Sequence, residues 1–281
     1  MIEYKLNLAG CQCSVVEWNP DGSILVFALH GWLDNLATFE SLVEFMPDLR
    51  IVAIDFPGHG HSDHIPPGVT YHFVDGIYLI DDLLRHFEQK QINLLGHSMG
   101  GAISTLYAAS LPDRVKAMVL IESIGPLTAK PEDGVSLLNR SVNQRAALAG
   151  KRKPVYTSFD QALTARADVS EVEKNLIKPL VERALVKVED GYTWRADSRL
   201  RITSPVRMSE AHLVEVLSNI EAPVLLIEGE KGFITDSELL QTRKQSIQYL
   251  EVVQIPGGHH LHLEQPQTCA AQIQTFFQKI G

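Results

Sequence analysis

Ser98 sits between glycines in LLGHSMGG (94–101), directly after an apolar run and directly before a segment of helical periodicity. A serine hydroxyl is a poor nucleophile until a neighbouring base takes its proton, so its surroundings decide what it can do. The spacing Gly96-x-Ser98-x-Gly100 is weak alone, since a small residue in a tight turn reads the same way. A sharp strand-to-helix turn would hold such a serine strained at its tip, with small residues on either side. The backbone N–H of Met99, at the start of the following helix, can then face a developing oxyanion. Acyl transfer needs a second donor, and LHGW (29–32) ends another strand with the N–H of Trp32 in the right place. A third strand end, DFPGHGHS (55–62), adds tight turns near the same point. A histidine could supply the base, and PGGHHLHLEQP (256–266) offers His259, His260 and His262. Three histidines this close can also ligate zinc, although no helical H-E-x-x-H accompanies them.

The elements that must position these groups are legible as short apolar runs. ILVFALHG (24–31), RIVAIDFPG (50–58), QINLLGHS (91–98), VKAMVLIES (115–123), APVLLIEGE (222–230) and LEVVQIPGG (250–258) read as strands. Their near-continuous Ile, Val and Leu content fits strands buried on both faces of a mostly parallel sheet. Helix-period segments fall between them at 36–46, 73–89, 99–110, 237–246 and 265–279, so the fold class is α/β. IEYKLNL and CSVVEW, a few residues apart, suggest an antiparallel hairpin at one edge. Residues 127–218 break this rhythm. They hold polar amphipathic stretches such as EVEKNLIKPLVERALVKV, where Leu176, Leu180, Ala184 and Val188 recur at helical spacing. A helical insertion of that size reads as a lid over the carboxyl edge of the sheet.

The 281 residues carry a net charge of −9, which argues against nucleic acid or an anionic membrane as a partner. The densest basic cluster, GKRKP (150–154), reads as a solvated turn. The three cysteines Cys11, Cys13 and Cys269 form no even framework, so a reducing compartment, the cytoplasm, is expected. The opening residues lack a cationic stretch followed by an apolar one, and no run reaches the ~18 apolar residues of a membrane span.

Taken in order, His30-Gly31, Asp55-x-Pro57-Gly58-His59-Gly60-x-Ser62, Gly96-x-Ser98-x-Gly100 and Gly258-His259 resemble the signature of the α/β-hydrolase superfamily, in its capped serine hydrolase branch. The resemblance implies a mostly parallel twisted sheet of about eight strands over 1–126 and 219–281, with the helical cap 127–218 inserted after the sixth strand. It implies a serine–acid–histidine triad in that chain order. The family pattern G-H-x-x-x-x-E-x-P matches Gly258, His259, Glu264 and Pro266, which selects His259 as the base. Capped relatives that open epoxides or cleave carbon–halogen bonds place Asp where this chain has Ser98, so serine points to reaction at a carbonyl.

The acid departs from the common pattern. Many relatives carry Asp after the seventh strand of the sheet, in a stretch like G-E-K-D, whereas this chain has GEKGFITD with Gly232 at that point. Some capped members place the acid after the sixth strand, and VLIESIGP (119–126) offers Glu122 there; Asp236, Glu228 and Glu230 are the alternatives. His30 and Asp55 are expected to brace the loops around the oxyanion donors. The expectation is therefore hydrolysis of small to medium carboxylic esters by Ser98, His259 and Glu122, with the amides of Trp32 and Met99 holding the oxyanion. Such chemistry requires neither cofactor nor metal. Thioester or carbon–carbon acyl cleavage, and a non-catalytic scaffold with a decayed triad, are the rival readings.

Overall fold

The computed structural model describes residues 1–148, 150–232 and 238–281. Ten strands are found among them: β1 (Ile2–Leu8), β2 (Cys11–Trp18), β3 (Ile24–Leu29), β4 (Leu49–Ile54), β5 (Ile92–His97), β6 (Val115–Ile121), β7 (Leu185–Val188), β8 (Gly191–Trp194), β9 (Val224–Gly229) and β10 (Leu250–Ile255). Eight of them form one sheet in the order β1-β2-β4-β3-β5-β6-β9-β10. β1 and β2 make the expected antiparallel hairpin, β2 is antiparallel to β4, and the other pairs are parallel. The eight-stranded, mostly parallel sheet is the architecture read from the sequence.

Helices cover both faces of the sheet because its central strands are apolar on both sides. On one face lie α1 (Glu40–Val43) and the terminal helix, with Leu42, Val43, Cys269, Ile273, Phe276 and Phe277 buried against Val26, Ile51, Val119 and Ile227. On the other lie α2 (Gly76–His86) and α3 (Met99–Ser110), whose Leu79, Ile80, Leu83, Ile103 and Tyr107 pack on Phe27, Leu94 and Leu120.

The sheet order reverses around β3, which lies between β4 and β5. At such a point the connections leave to opposite faces and open a crevice beyond the carboxyl ends of the strands. β3 runs out into His30–Trp32 there and β5 into Ser98. Register places the remaining groups: His97 pairs with Ile121, and Ile121 with Ile227, so Ser98 and Glu122 emerge from adjacent strand ends.

Between β6 and β9 the chain forms α4 (Gly134–Leu148), α5 (Phe159–Ser170), α6 (Lys174–Ala184), the β7–β8 hairpin and α7 (Glu210–Leu217). Ala162, Leu163, Ile177, Leu180 and Val181 build a small core of their own, closed by Leu263 from the α/β part. Leu213 and Leu217 of α7 instead join the main core. The helical periodicity read through Val188 ends at Ala184. Leu185–Val188 and Gly191–Trp194 pair as an antiparallel hairpin across Glu189-Asp190, because the alternating Leu-Val-Lys-Val run favours a strand and Gly191 takes a φ of +141°. Among the described residues no helix is long and apolar enough to cross a membrane. The remaining helices are α8 (Glu238–Ser246), α9 (Leu261–Glu264) and α10 (Pro266–Ile280).

Candidate active site

Ser98 occupies the turn between β5 and α3 with φ 50° and ψ −113°, outside the ordinary regions for a non-glycine residue. Holding it there requires close packing on both sides. A Cβ on Gly100 would overlap the Leu29 carbonyl at the end of β3, so only glycine lets α3 begin this near the sheet. The Ser98 N–H is anchored on Ile121 O at 3.0 Å and the Gly100 N–H on His30 O at 3.1 Å. Glu122 (φ 50°) and Leu33 (φ 60°) are held in the left-handed region as well. Such residues cost on the order of 1–3 kcal/mol each, and three stand at one crevice.

His259 follows β10 and places its ring between the serine and the acid. Nε2 lies 3.0 Å from Ser98 Oγ and Nδ1 lies 3.5 Å from Glu122 Oε2. With the proton on Nδ1, the ring donates toward the carboxylate and accepts from the serine hydroxyl. The Glu122 contact is long, as such contacts often are before substrate charge draws them in. Glu122 is buried, and its Oε1 accepts from the Gly229 N–H at 2.6 Å.

Gly232 makes room for this carboxylate. A Cβ there would overlap both oxygens and Cδ of Glu122. The alternative acids fall elsewhere: Glu228 is ion-paired to Lys244 at 2.8 Å, Glu230 is exposed, and Asp236 lies outside the described residues.

The two candidate oxyanion donors, Trp32 and Met99, follow the paired strands β3 and β5. The amides of Trp32 and Met99 make no hydrogen bond to protein among the described residues. The loop carrying Trp32 is braced from several directions. His30 accepts from the Phe56 N–H at 3.0 Å through Nε2 and donates to Gly31 O at 2.7 Å through Nδ1; burial pushes its pKa down to about 4, which keeps that neutral form. Asp55 accepts from the Leu36 and His61 amides at 2.8 and 2.7 Å and from Arg183 Nε at 2.9 Å. His59 accepts from the Leu33 N–H at 3.2 Å, and burial lowers its pKa to about 3.

Sequence reasoning missed the polar cluster behind His259. His97 donates to His259 O at 2.9 Å, His260 donates to Asp34 Oδ2 at 3.2 Å, and His262 meets Thr38 Oγ1 at 2.6 Å. Arg166 of α5 pairs with the other oxygen of Asp34. Burial would raise the Asp34 pKa, but His260, Arg166 and His97 outweigh it and hold the carboxyl well below the usual range. Asp34, His97 and His260 bring three ligand-type atoms within 4.8 Å of one another, yet both Asp34 oxygens are already hydrogen-bonded to Arg166 and His260. The signal available in the sequence was the unusual run of histidines after β10, whose partners come from the segment after β3 (Asp34, Thr38) and the end of β5 (His97).

A doubly wound sheet that carries a serine after β5, a carboxylate after β6 and a histidine after β10 matches a hydrolase scaffold. A family model described as the alpha/beta hydrolase fold matches residues 24–266, and the chain belongs to that family. A serine hydrolase-like protein of Danio rerio is 30% identical over 93% of this chain and 83% of its own length. Serine hydrolase-like protein 2 of Homo sapiens is 27% identical over 98% of this chain and 94% of its own. A crystal structure of a hypothetical protein from Pseudomonas aeruginosa PAO1 superposes with a TM-score of 0.93, at 35% identity and 99% coverage of both chains.

Proposed function

We propose that the protein is a serine hydrolase of small to medium carboxylic esters that works through an acyl-enzyme. The observation that carries this reading is the continuous chain from Ser98 Oγ to His259 Nε2 at 3.0 Å and from His259 Nδ1 to Glu122 at 3.5 Å. Ser98 attacks the acyl carbon while His259 takes its proton. The tetrahedral oxyanion rests against the amides of Trp32 and Met99, where preformed dipoles cost no reorganisation. Collapse expels the alcohol, protonated by His259, and leaves Ser98 acylated. Water, deprotonated by the same ring, then releases the acid. Glu122 fixes the imidazole tautomer and stabilises the imidazolium without taking the proton.

The segment 127–218 acts as the lid in this reading. It reaches the Trp32 loop directly: Asn35 donates to Leu180 O at 2.8 Å and the Trp32 indole to Leu200 O at 2.9 Å. The carboxylate beside His259 weighs against a decayed, non-catalytic triad. Thioesters or activated carbon–carbon bonds would use the same groups, and varying the leaving group separates these cases. The direct test is turnover of p-nitrophenyl butyrate by the wild type and by Ser98→Ala. Loss of on the order of 10⁴-fold or more in the variant supports the reading, and equal rates refute it.

A further inference from the structure

The basic run at 150–154 is largely solvent-exposed, as read from the sequence, and it has a further neighbour. It borders a cavity of about 350 Å³ between the 127–218 segment and the loop that follows Trp32. Leu33, Asp34 and Asn35, which follow Trp32 in the chain, line the core side of this cavity. The lining also includes Lys151, Arg152, Lys153 and Arg201.

Lys151, Arg152 and Arg201 are solvent-exposed and Lys153 is half-buried beside Asp197, whose charge it feels. None has a carboxylate partner within ion-pair distance among the described residues. The two acids in the lining are already engaged: Asp34 with Arg166 and His260, Asp197 with Arg199 and Tyr71. Lys153 reaches only the carbonyls of Trp194 and Arg195, both at 3.0 Å, and burial lowers its pKa. Arg201 lies over the Trp32 ring, 6.0 Å from its centroid, which ties the charged lining to the loop of the oxyanion donor. A chain of net charge −9 that gathers four unpaired cations at one cavity has built a local field opposite to its global one.

We propose that this cavity receives an acidic group of the substrate, a carboxylate or a phosphate, so that the preferred substrates are anionic esters or thioesters. The inference rests on the serine hydrolase reading for the reaction, while the binding preference stands apart from it. The cations select the substrate and hold its charged end, and Ser98 acts on the carbonyl at the other.

Three substrates test the proposal: neutral p-nitrophenyl butyrate, p-nitrophenyl hemisuccinate with a carboxylate on the acyl chain, and butyryl-coenzyme A with phosphates on the leaving group. In Lys151→Gln/Arg152→Gln, the ratio of anionic to neutral kcat/KM is expected to fall about tenfold, the low end for charge-assisted contacts at a half-open site. The anionic substrate that responds identifies the acidic group, and its advantage shrinks as salt is added. Binding of succinanilic acid and coenzyme A to Ser98→Ala, with butyranilide as the neutral control, reads the site without chemistry. If no ester is hydrolysed but an anion binds selectively and loses that selectivity in the double variant, the catalytic reading fails and the anion site stands. Unchanged ratios together with no anion-selective binding overturn the proposal.

Discussion

Glu122 and Gly232 share one volume: any side chain at 232 would occupy the space that the Glu122 carboxylate fills beside His259. The missing Asp after the seventh strand of the sheet and the glutamate after the sixth are thus two sides of one arrangement. Glu122→Gln is expected to keep the fold and lower kcat by about 10²–10⁴-fold, because the imidazolium loses its counter-charge. Gly232→Ala should also lose activity by displacing the carboxylate. Glu122→Ala/Gly232→Asp should recover part of what Glu122→Ala loses, by moving the acid to the other strand end. A double variant no better than Glu122→Ala would contradict this account, with circular dichroism checking the fold in each case.

Much of this arrangement is legible in the sequence because strand-end chemistry is local. The runs at 24–31, 91–98 and 115–123 are apolar enough to be strands, and Trp32, Ser98 and Glu122 follow them within a residue or so. His259 is legible through its place after the last strand. Long-range pairing is not. Nothing near Asp34 in the sequence points to Arg166, 132 residues away, or to His260, 226 residues away. The β7–β8 hairpin was hidden because Leu176, Leu180, Ala184 and Val188 keep helical spacing across a boundary that turn chemistry at Asp190-Gly191 sets. The basic run at 150–154 is largely solvent-exposed, as its composition suggests, but a one-dimensional reading cannot show which cavity it borders.

Asp34 is buried beneath the Trp32 loop and held by Arg166 and His260. Removing one partner from a buried pair leaves an uncompensated charge, so Arg166→Met should cost about 3 kcal/mol. Asp34→Asn/Arg166→Met should cost less than the sum of the two single changes. Urea unfolding of the four proteins measures this coupling. Additive effects would contradict a buried, mutually dependent pair.

The buried histidines make stability depend on pH in a definite direction. His30 is held at about 4 and His59 at about 3, and burial drives His97 and His262 well below the usual histidine range. In the unfolded chain they take up protons near pH 6.5, so the unfolded state binds more protons below that point. Stability is therefore full above about 6.5 and falls as pH drops toward 4, by up to about 1.4 kcal/mol per pH unit for each such ring. Asp34, held low in the fold, adds a further loss only below its unfolded value near 4. Thermal unfolding between pH 7.5 and 5 should show Tm decreasing by on the order of ten degrees or more, and a flat profile would contradict the buried neutral histidines.

The central claim is that Ser98 is a nucleophile activated by His259. The most direct measurement is the intact mass of the protein after brief treatment with a fluorophosphonate, followed by peptide mapping. The account predicts one phosphonyl adduct, located on Ser98, absent from Ser98→Ala and formed at least ~100-fold more slowly in His259→Gln. No adduct on the folded wild type, or an adduct that persists in Ser98→Ala, would contradict it.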